Sequence, residues 1–460
     1  MGYIHPYIPN SEEVKKSMLK ELGLNSIDDL YSDIPEKFRL KRPLNIPHVK
    51  SEYEIYKHIL NILSKNKTYT NGRNFMGAGA YEHYIPAVVK ALSSRGEFVT
   101  AYTPYQPEIS QGMLQTLYEY QSLVAELFEM DIVNASMYDM ASALAEAALM
   151  TVRVTRRKKF IIPDNINPQH IETLITYTEP HNIEIVKIPY DRKTSMISID
   201  ALKKEIDTNT AGVYIQTPNY FGVLEEQVDE IEEIVHTNKS MFVVGVDPIS
   251  LGIIRSPGSY GADIAIAEGQ TLGAPMSFGG PQLGIFAVKD NKKFQRQLPG
   301  RLIGLTTTKD EKEIAFVMTL QPREQHIRRE RATSNICSNE ALMAVIAAMY
   351  IATLGKTGIT KLAETIATNT AYAMKKLDEI KGIKVPYFEG FHFQEFVMNF
   401  DDTGKKAEDI LDKMHKNGIL GGINLSKMYD IGESVLVYVS EVHTKEDIER
   451  YIETLKEALK

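Results

Sequence analysis

The chain has a single cysteine, Cys337, among its 460 residues, so no intrachain disulfide can form and nothing points to an oxidising compartment. Basic charge is in short supply: 52 Lys and Arg against 60 Asp and Glu leave a net charge of −8. A nucleic-acid binder normally shows a basic excess on at least one domain, so this balance argues against that class. Met1-Gly2-Tyr3-Ile4-His5-Pro6 has neither a basic n-region nor an apolar h-region. Pro6 also stands where a myristoylation signal needs Ser or Thr. The longest apolar run, Ala341 to Leu354, is too short to span a bilayer and predicts a buried helix. The histidines show no HExxH or related spacing, so no metal is expected. Internal repeats and low-complexity segments are absent too. A cytoplasmic enzyme with no membrane partner is the expectation.

What is present is the texture of a large α/β enzyme. Residues 11–70 are polar, helix-prone and interrupted by Pro35, Pro43 and Pro47. With too few apolar residues for a core of their own, they predict an N-terminal arm of an oligomer. Residues 77–112 are irregular and rich in Tyr, Gln, Glu and Thr, which suits a contact surface. A helix is predicted over Gln111–Phe128 from the spacing of Leu114, Leu117, Tyr118, Gln121 and Ala125. Strand-length apolar runs follow at Lys159–Pro163, Ile183–Ile188, Gly212–Gln216, Phe242–Val246, Ile264–Ala267 and Leu283–Val288, with helical stretches such as Gln169–Thr178 and Glu225–His236 between them. Strands buried on both faces and joined by helices mean a mostly parallel sheet. Beyond the apolar helix, strands at Lys384–Pro386, Phe393–Phe400 and Val435–Val439 and helices at Lys406–His415 and Lys445–Leu459 predict a small α+β lobe. The expected boundaries are an arm over 1–75, a large domain over 76–330 and a small domain over 331–460.

Chemistry in an open α/β sheet collects at the carboxyl ends of the strands. Strand Phe242–Val246 runs directly into Asp247-Pro248. One use for such a carboxylate is pairing with the pyridinium nitrogen of pyridoxal phosphate; the other is a helix cap or turn. Asn134-Ala135-Ser136 precedes an Ala-rich helix, Met137–Met150, whose N-terminal amides suit a phosphate. Thr217-Pro218-Asn219 follows strand Gly212–Gln216 at the same edge. Phosphate cup, Asn turn and pyridine Asp come in this chain order in fold type I pyridoxal-phosphate enzymes. The lysine such an enzyme needs is missing. No lysine lies between Asp247 and Lys289, and the turn where it belongs reads Glu268-Gly269-Gln270-Thr271. Lys289 itself heads the charged run Lys289-Asp290-Asn291-Lys292-Lys293, which suggests a surface turn. Without that amine there is no covalent attachment of the cofactor and no base at the substrate carbon.

Two long motifs then carry a resemblance. Thr103-Pro104-Tyr105-Gln106-Pro107-Glu108-Ile109-Ser110-Gln111-Gly112 and Arg323-Glu324-Gln325-His326-Ile327-Arg328-Arg329-Glu330-Arg331-Ala332-Thr333-Ser334-Asn335-Ile336-Cys337-Ser338 resemble signatures of glycine decarboxylase, the P protein of the glycine cleavage system. Gly261-Ala262-Asp263-Ile264, Gly273-Ala274-Pro275-Met276 with Gly279-Gly280-Pro281, and Pro299-Gly300-Arg301 are weaker matches in the same order. In that family the protein is one long chain of two homologous halves, or two separate subunits. The second motif is similar to the N-terminal half, and Gln270-Thr271 occupies roughly the region of the catalytic half's His-Lys pair. The resemblance therefore implies the lysine-lacking subunit, assembled as two plus two with a lysine-bearing subunit 2. It also implies pyridoxal phosphate attached to the partner, none bound covalently here, and glycine and the lipoylated H protein as reactants.

A chain of this kind could still complete its partner's active site. The candidates are His83, Tyr102, Tyr105, Gln106, Glu108 and Ser110, which crowd an irregular polar and aromatic segment; the alternative is that they only pack a subunit seam. His83 could equally be a satisfied structural histidine. Arg323, His326 and Arg328 are candidates for an anion site, set against an internal ion-pair network. Ser136, Asn219, Asp247 and Gln270 are the candidates for a vestigial cofactor pocket. The remaining rivals are a self-sufficient pyridoxal-phosphate enzyme using Lys289 and a non-catalytic scaffold.

Overall fold

A computed structural model describes residues 7, 9–48, 50–69, 72–101 and 104–460. The chain divides into two units at Thr68 and Tyr69. In the first, helices Glu12–Glu21 and Glu52–Leu63 begin with serine caps, Ser11 and Ser51, whose hydroxyls accept from the amides of Val14 and Glu54. None of the described residues of this unit is buried, so it has no core.

The second unit is built on a seven-stranded sheet: β1 Ile132–Val133, β2 Lys159–Pro163, β3 Glu184–Ile188, β4 Thr210–Thr217, β5 Met241–Val246, β6 Ile264–Glu268 and β7 Gly284–Val288. The spatial order is β1-β7-β6-β5-β4-β2-β3. The run from β3 to β6 is parallel, while β7 pairs antiparallel with β6 and with β1. Successive side chains of a strand point to opposite faces, and here both faces are apolar. Ile161, Val213, Ile215, Phe242, Val244 and Ala265 face one core, shared with helices Gln111–Phe128 and Ala341–Asp378. Phe160, Ile162, Tyr214, Val243, Ile264 and Ile266 face the other, shared with helices Met140–Thr155 and Pro168–Thr178. The expected mostly parallel α/β sheet is the observed one.

Three local expectations change. The Ala-rich helix starts at Met140 rather than Met137, because Asp139 caps it and accepts from the Ser142 amide at 2.7 Å. Lys384–Pro386 makes one isolated bridge, Lys384 to Asn399, and no strand. The apolar run from Ala341 continues through Asp378, with a non-helical glycine at Gly355. That helix is long and apolar enough to cross a membrane by length and composition, but Ala344, Val345, Ala347 and Ala348 are consumed by the sheet core. Its last turns reach the small lobe, where Ala373 and Leu377 join a third core. There β10 Glu395–Asn399, β12 Ser434–Tyr438 and β11 Ile423–Asn424 form an antiparallel sheet in that order, with helices Ala407–Lys416 and Lys445–Ala458. The last helix opens with the expected cap pair, Thr444 and Asp447. A hairpin absent from the sequence reading, β8 Ile303–Thr307 and β9 Ile314–Met318, packs on Gln111–Phe128.

Candidate functional site

The carboxyl ends of β4, β5 and β6 bring Asn219, Asp247 and Glu268 to one cavity, closed from above by Gly79, Tyr81 and the segment Phe393-Gln394-Glu395. This is the strand edge at which α/β sheets bind ligands. The free space is about 40 Å³, against roughly 300–1,000 Å³ for an ordinary ligand cleft.

What fills it is polar and largely engaged with itself, with Gln394 Oε1, Thr271 Oγ1 and His170 Nδ1 left without a partner among the described residues. Asp247 accepts from the Ser250 amide at 2.9 Å and from Gln394 Nε2 at 3.1 Å, so the side chain of Gln394 meets the face where a pyridinium nitrogen belongs. Glu395 accepts from the Ala78 amide at 2.6 Å and the Tyr81 hydroxyl at 2.7 Å. Burial raises the pKa of Asp247. Burial, with a further push from Asp247, takes Glu395 up to about 7. Gln270 ties the cover down: its Nε2 donates to the carbonyls of Tyr81 (3.0 Å) and Ala274 (2.7 Å), and its Oε1 accepts from the Tyr81 amide.

The helix end expected to hold a phosphate is already supplied with negative charge. Asp139 caps it, and Glu268 Oε2 accepts from the Met140 amide at 3.1 Å. Glu268 also accepts from the amides of Gln270 and Leu283, both at 3.0 Å, and burial pushes its pKa up to about 7. An anion at these amides would meet two carboxyl groups, reversing the usual attraction of a helix N-terminus. Ser136 does not line the cavity; its hydroxyl accepts from the Glu340 amide. Asn219 is spent on its own turn, donating to Ser195 and accepting from the amides of Phe221 and Val223. Of the four cofactor-pocket candidates, Asn219, Asp247 and Gln270 therefore cluster, yet each is committed to a partner in the protein. The residues present do not fit pyridoxal phosphate.

Lys289 cannot supply the missing amine to this cavity. Its ammonium donates to the Gly261 carbonyl at 2.7 Å and lies 4.0 Å from Asp263. The Asp263 amide bonds the Phe242 carbonyl at the start of β5, and five residues of strand, about 17 Å, separate that point from Asp247. Lys289 thus lies at the opposite end of β5 from the cavity, which argues against a self-sufficient enzyme built on it.

His83 sits beside the cavity. Its Nδ1 is 2.9 Å from Glu441 Oε2, and the Tyr84 amide donates to Glu441 Oε1 at 2.7 Å. Burial pushes Glu441 upward, but the His83 charge and these hydrogen bonds outweigh it and hold the carboxyl below its usual range. His83 Nε2 is buried without a partner among the described residues.

The other candidates lie on different surfaces. Tyr102 is outside the described residues. Tyr105 lies flat under the Arg301 guanidinium, 3.8 Å from ring centre, and donates to the Cys337 carbonyl at 3.1 Å. That contact joins the two long motifs. Gln106 and Glu108 are exposed on either side of Pro107, Ile109 is 76% exposed and Ser110 half-buried. Arg301 is buried and paired with Glu324 at 2.8 Å. Arg323 is buried near Arg153, whereas His326 and Arg328 are exposed on the short helix Gln325–Arg328. Arg153 is 13 residues along a helix from Met140, so this group is about 20 Å from the Asp247 cavity.

The sequence reading missed Tyr81, Glu268, Gln394, Glu395 and Glu441. One signal was available: a glutamate opening the otherwise apolar Glu395-Phe396-Val397-Met398 is a charge inside a buried strand.

Comparison with known proteins shows the family. Residues 5–455 match the family described as glycine cleavage system P-protein. The chain is 49% identical to a probable glycine dehydrogenase (decarboxylating) subunit 1 of Staphylothermus marinus, over 99% of this chain and 98% of that one. It is 51% identical to a protein of the same description from Pyrococcus abyssi, over 98% and 99%. Among solved structures it is similar to a glycine decarboxylase (P-protein) of the glycine cleavage system in inhibitor-bound form, with TM-score 0.87, 36% identity and coverage of 99% and 100%. A glutamate decarboxylase of Lactobacillus brevis, with TM-score 0.69 and 13% identity over 93% and 97%, shares the fold alone.

Proposed function

Because the chain belongs to the glycine cleavage system P-protein family, we propose that it is the subunit of a two-subunit glycine decarboxylase that holds no cofactor covalently. A P-protein subunit role in glycine decarboxylation follows from the family and from relatives described as subunit 1. The finer reading is that pyridoxal phosphate is attached to a homologous, lysine-bearing subunit 2, in a two-plus-two assembly. The observation that carries it is the Asp247 cavity: no lysine lines it among the described residues, and the chain's own Gln394, Glu395 and Tyr81 occupy it.

The cofactor supplies the electron sink for decarboxylation; this chain supplies shape and charge next to it. Arg301 fixes Tyr105 from one face and the Cys337 carbonyl fixes its hydroxyl, so the exposed Gln106, Glu108 and Ile109 are presented on a braced turn. Bracing of this kind keeps a contributed side chain in position without an ordering cost at binding. Glycine is the substrate in this reading, and the lipoyl arm of the H protein accepts the aminomethyl group.

Glycine–bicarbonate exchange is the test. The chain alone should be inactive, and mixing it with the lysine-bearing subunit should restore exchange. Tyr105→Ala and Glu108→Gln should each lower that activity about tenfold or more while the complex still elutes at its assembled size. Full activity in both variants would favour a scaffold role.

A further inference from the structure

Arg153, Arg156, Arg296, Arg323, Arg328 and Arg331 line a single cleft of about 700 Å³, at the opposite end of helix Met140–Thr155 from the Asp247 cavity. One acidic side chain, Glu330, shares the lining, and it faces Arg331 at 3.7 Å. The other nearby carboxyl groups, Glu324 and Glu146, act on Arg323 and Arg153 and offset part of this charge. Glu324 holds Arg301 at 2.8 Å, and Glu146 is buried, its pKa pushed up to about 7 by desolvation. Two of the arginines are built into the floor. Arg153 donates from Nε and Nη2 to the side chain and carbonyl of Gln297, at 2.9 and 3.1 Å. Arg323 is only 8% exposed. Its Nη2 donates to the Leu298 carbonyl and, at 3.4 Å, to Thr333, while Nε and Nη1 have no acceptor among the described residues. Burial beside Arg153 lowers its pKa to about 10, the mark of a cation short of counter-charge.

We propose that this cleft is a binding site for a phosphate-bearing small molecule. Unmet guanidinium donors in a buried position carry the full cost of desolvation. The exposed rim guanidinium forks match the oxygens of a phosphoryl group, and Arg323, buried beneath them without a full set of acceptors, adds positive charge. Charge favours phosphate over carboxylate: a monoester carries about −1.5 to −2 and three acceptor oxygens, where a carboxylate carries a single charge against six guanidinium groups. The cleft is also within the usual size of a ligand site. Arg156, Arg296, Arg328 and Arg331 are exposed around it, placed to draw the anion in and to engage a second charged group.

The experiment is calorimetric titration of the full-length chain with inorganic pyrophosphate, inorganic phosphate and succinate. Pyrophosphate should bind at one site with Kd below about 1 mM, weaken as ionic strength rises, and exceed succinate by about tenfold or more. The exposed pair Arg156→Ala with Arg296→Ala should weaken pyrophosphate about tenfold without changing the melting temperature, and Arg323→Gln should weaken it further. Absence of pyrophosphate binding, equal binding of succinate, or affinity unchanged in the rim variant would each overturn the proposal. Binding of an acidic polypeptide in place of pyrophosphate would also overturn it, by making the cleft a protein-docking surface.

Discussion

Replacing Glu395 by glutamine tests the closed cavity through its pH dependence. Glu395 is 3% exposed, and burial together with Asp247 raises its pKa from 4.5 to about 7. A carboxyl whose folded pKa is raised binds its proton more tightly in the native state. Its contribution to stability is therefore fully present below about pH 4.5 and is lost as pH rises through about 7. The size of that loss, at 1.36 kcal/mol per pH unit, is about 3 kcal/mol at most. Glutamine is isosteric with the protonated acid, can still accept from the Ala78 amide and can pair with the Tyr81 hydroxyl, and cannot ionise. Near pH 4.5 the variant and the parent should melt together; at pH 8 the variant should be the more stable. For a unit of about 390 residues, unfolding entropy of about 0.8 kcal/mol per degree converts 3 kcal/mol into a Tm advantage of about 4 °C. Scanning calorimetry of both proteins from pH 4.5 to 8 reads this directly. A Tm difference independent of pH, or a Glu395→Gln protein less stable at pH 8, would refute the account of Glu395 as a burial-strained acid.

Three further outcomes follow from the same geometry. Gly222 has φ +84°, and a Cβ there would lie 1.9 Å from the Glu395 carbonyl; Gly222→Ala should cost about 2 kcal/mol or more, seen as poor soluble yield or a lowered Tm. Asp139→Ala removes the cap of helix Met140–Thr155 and should cost about 1 kcal/mol in thermal denaturation. His83→Ala removes the ring that hydrogen-bonds Glu441, whose folded pKa its surroundings hold below the usual range. Stability gained above the unfolded carboxyl value disappears, so this variant should lose about 1–3 kcal/mol at pH 8 and little at pH 4, measured by chemical denaturation at the two pH values.

The fold was legible wherever burial was two-sided or periodicity long. Lys159–Pro163 and Gln111–Phe128 match their observed bounds because every residue of that strand is buried and the helix repeats its apolar face over five turns. The two-residue strands β1 and β11 exist only through their neighbours, so no local pattern could announce them. In the β8–β9 hairpin, Ile314–Met318 is an unbroken apolar run of strand length that the sequence reading passed over, while β8 ends in exposed polar residues and carries little signal of its own. At the site, Asp247 was legible from its place at a strand end. Its partners were not, because Gln394 and Glu395 arrive from the small lobe, and a contact between distant segments leaves no trace in spacing. The helix N-terminus reads as an anion site; its own cap, Asp139, was a local signal against that reading, whereas Glu268 arrives from β6 and is a tertiary fact.

The most direct measurement is borohydride reduction of the assembled two-subunit enzyme with pyridoxal phosphate, followed by peptide mass mapping of both polypeptides. The account predicts a stoichiometric pyridoxyl adduct on one lysine of the partner and none on this chain. A stoichiometric adduct on any lysine of this chain, Lys289 included, would contradict it.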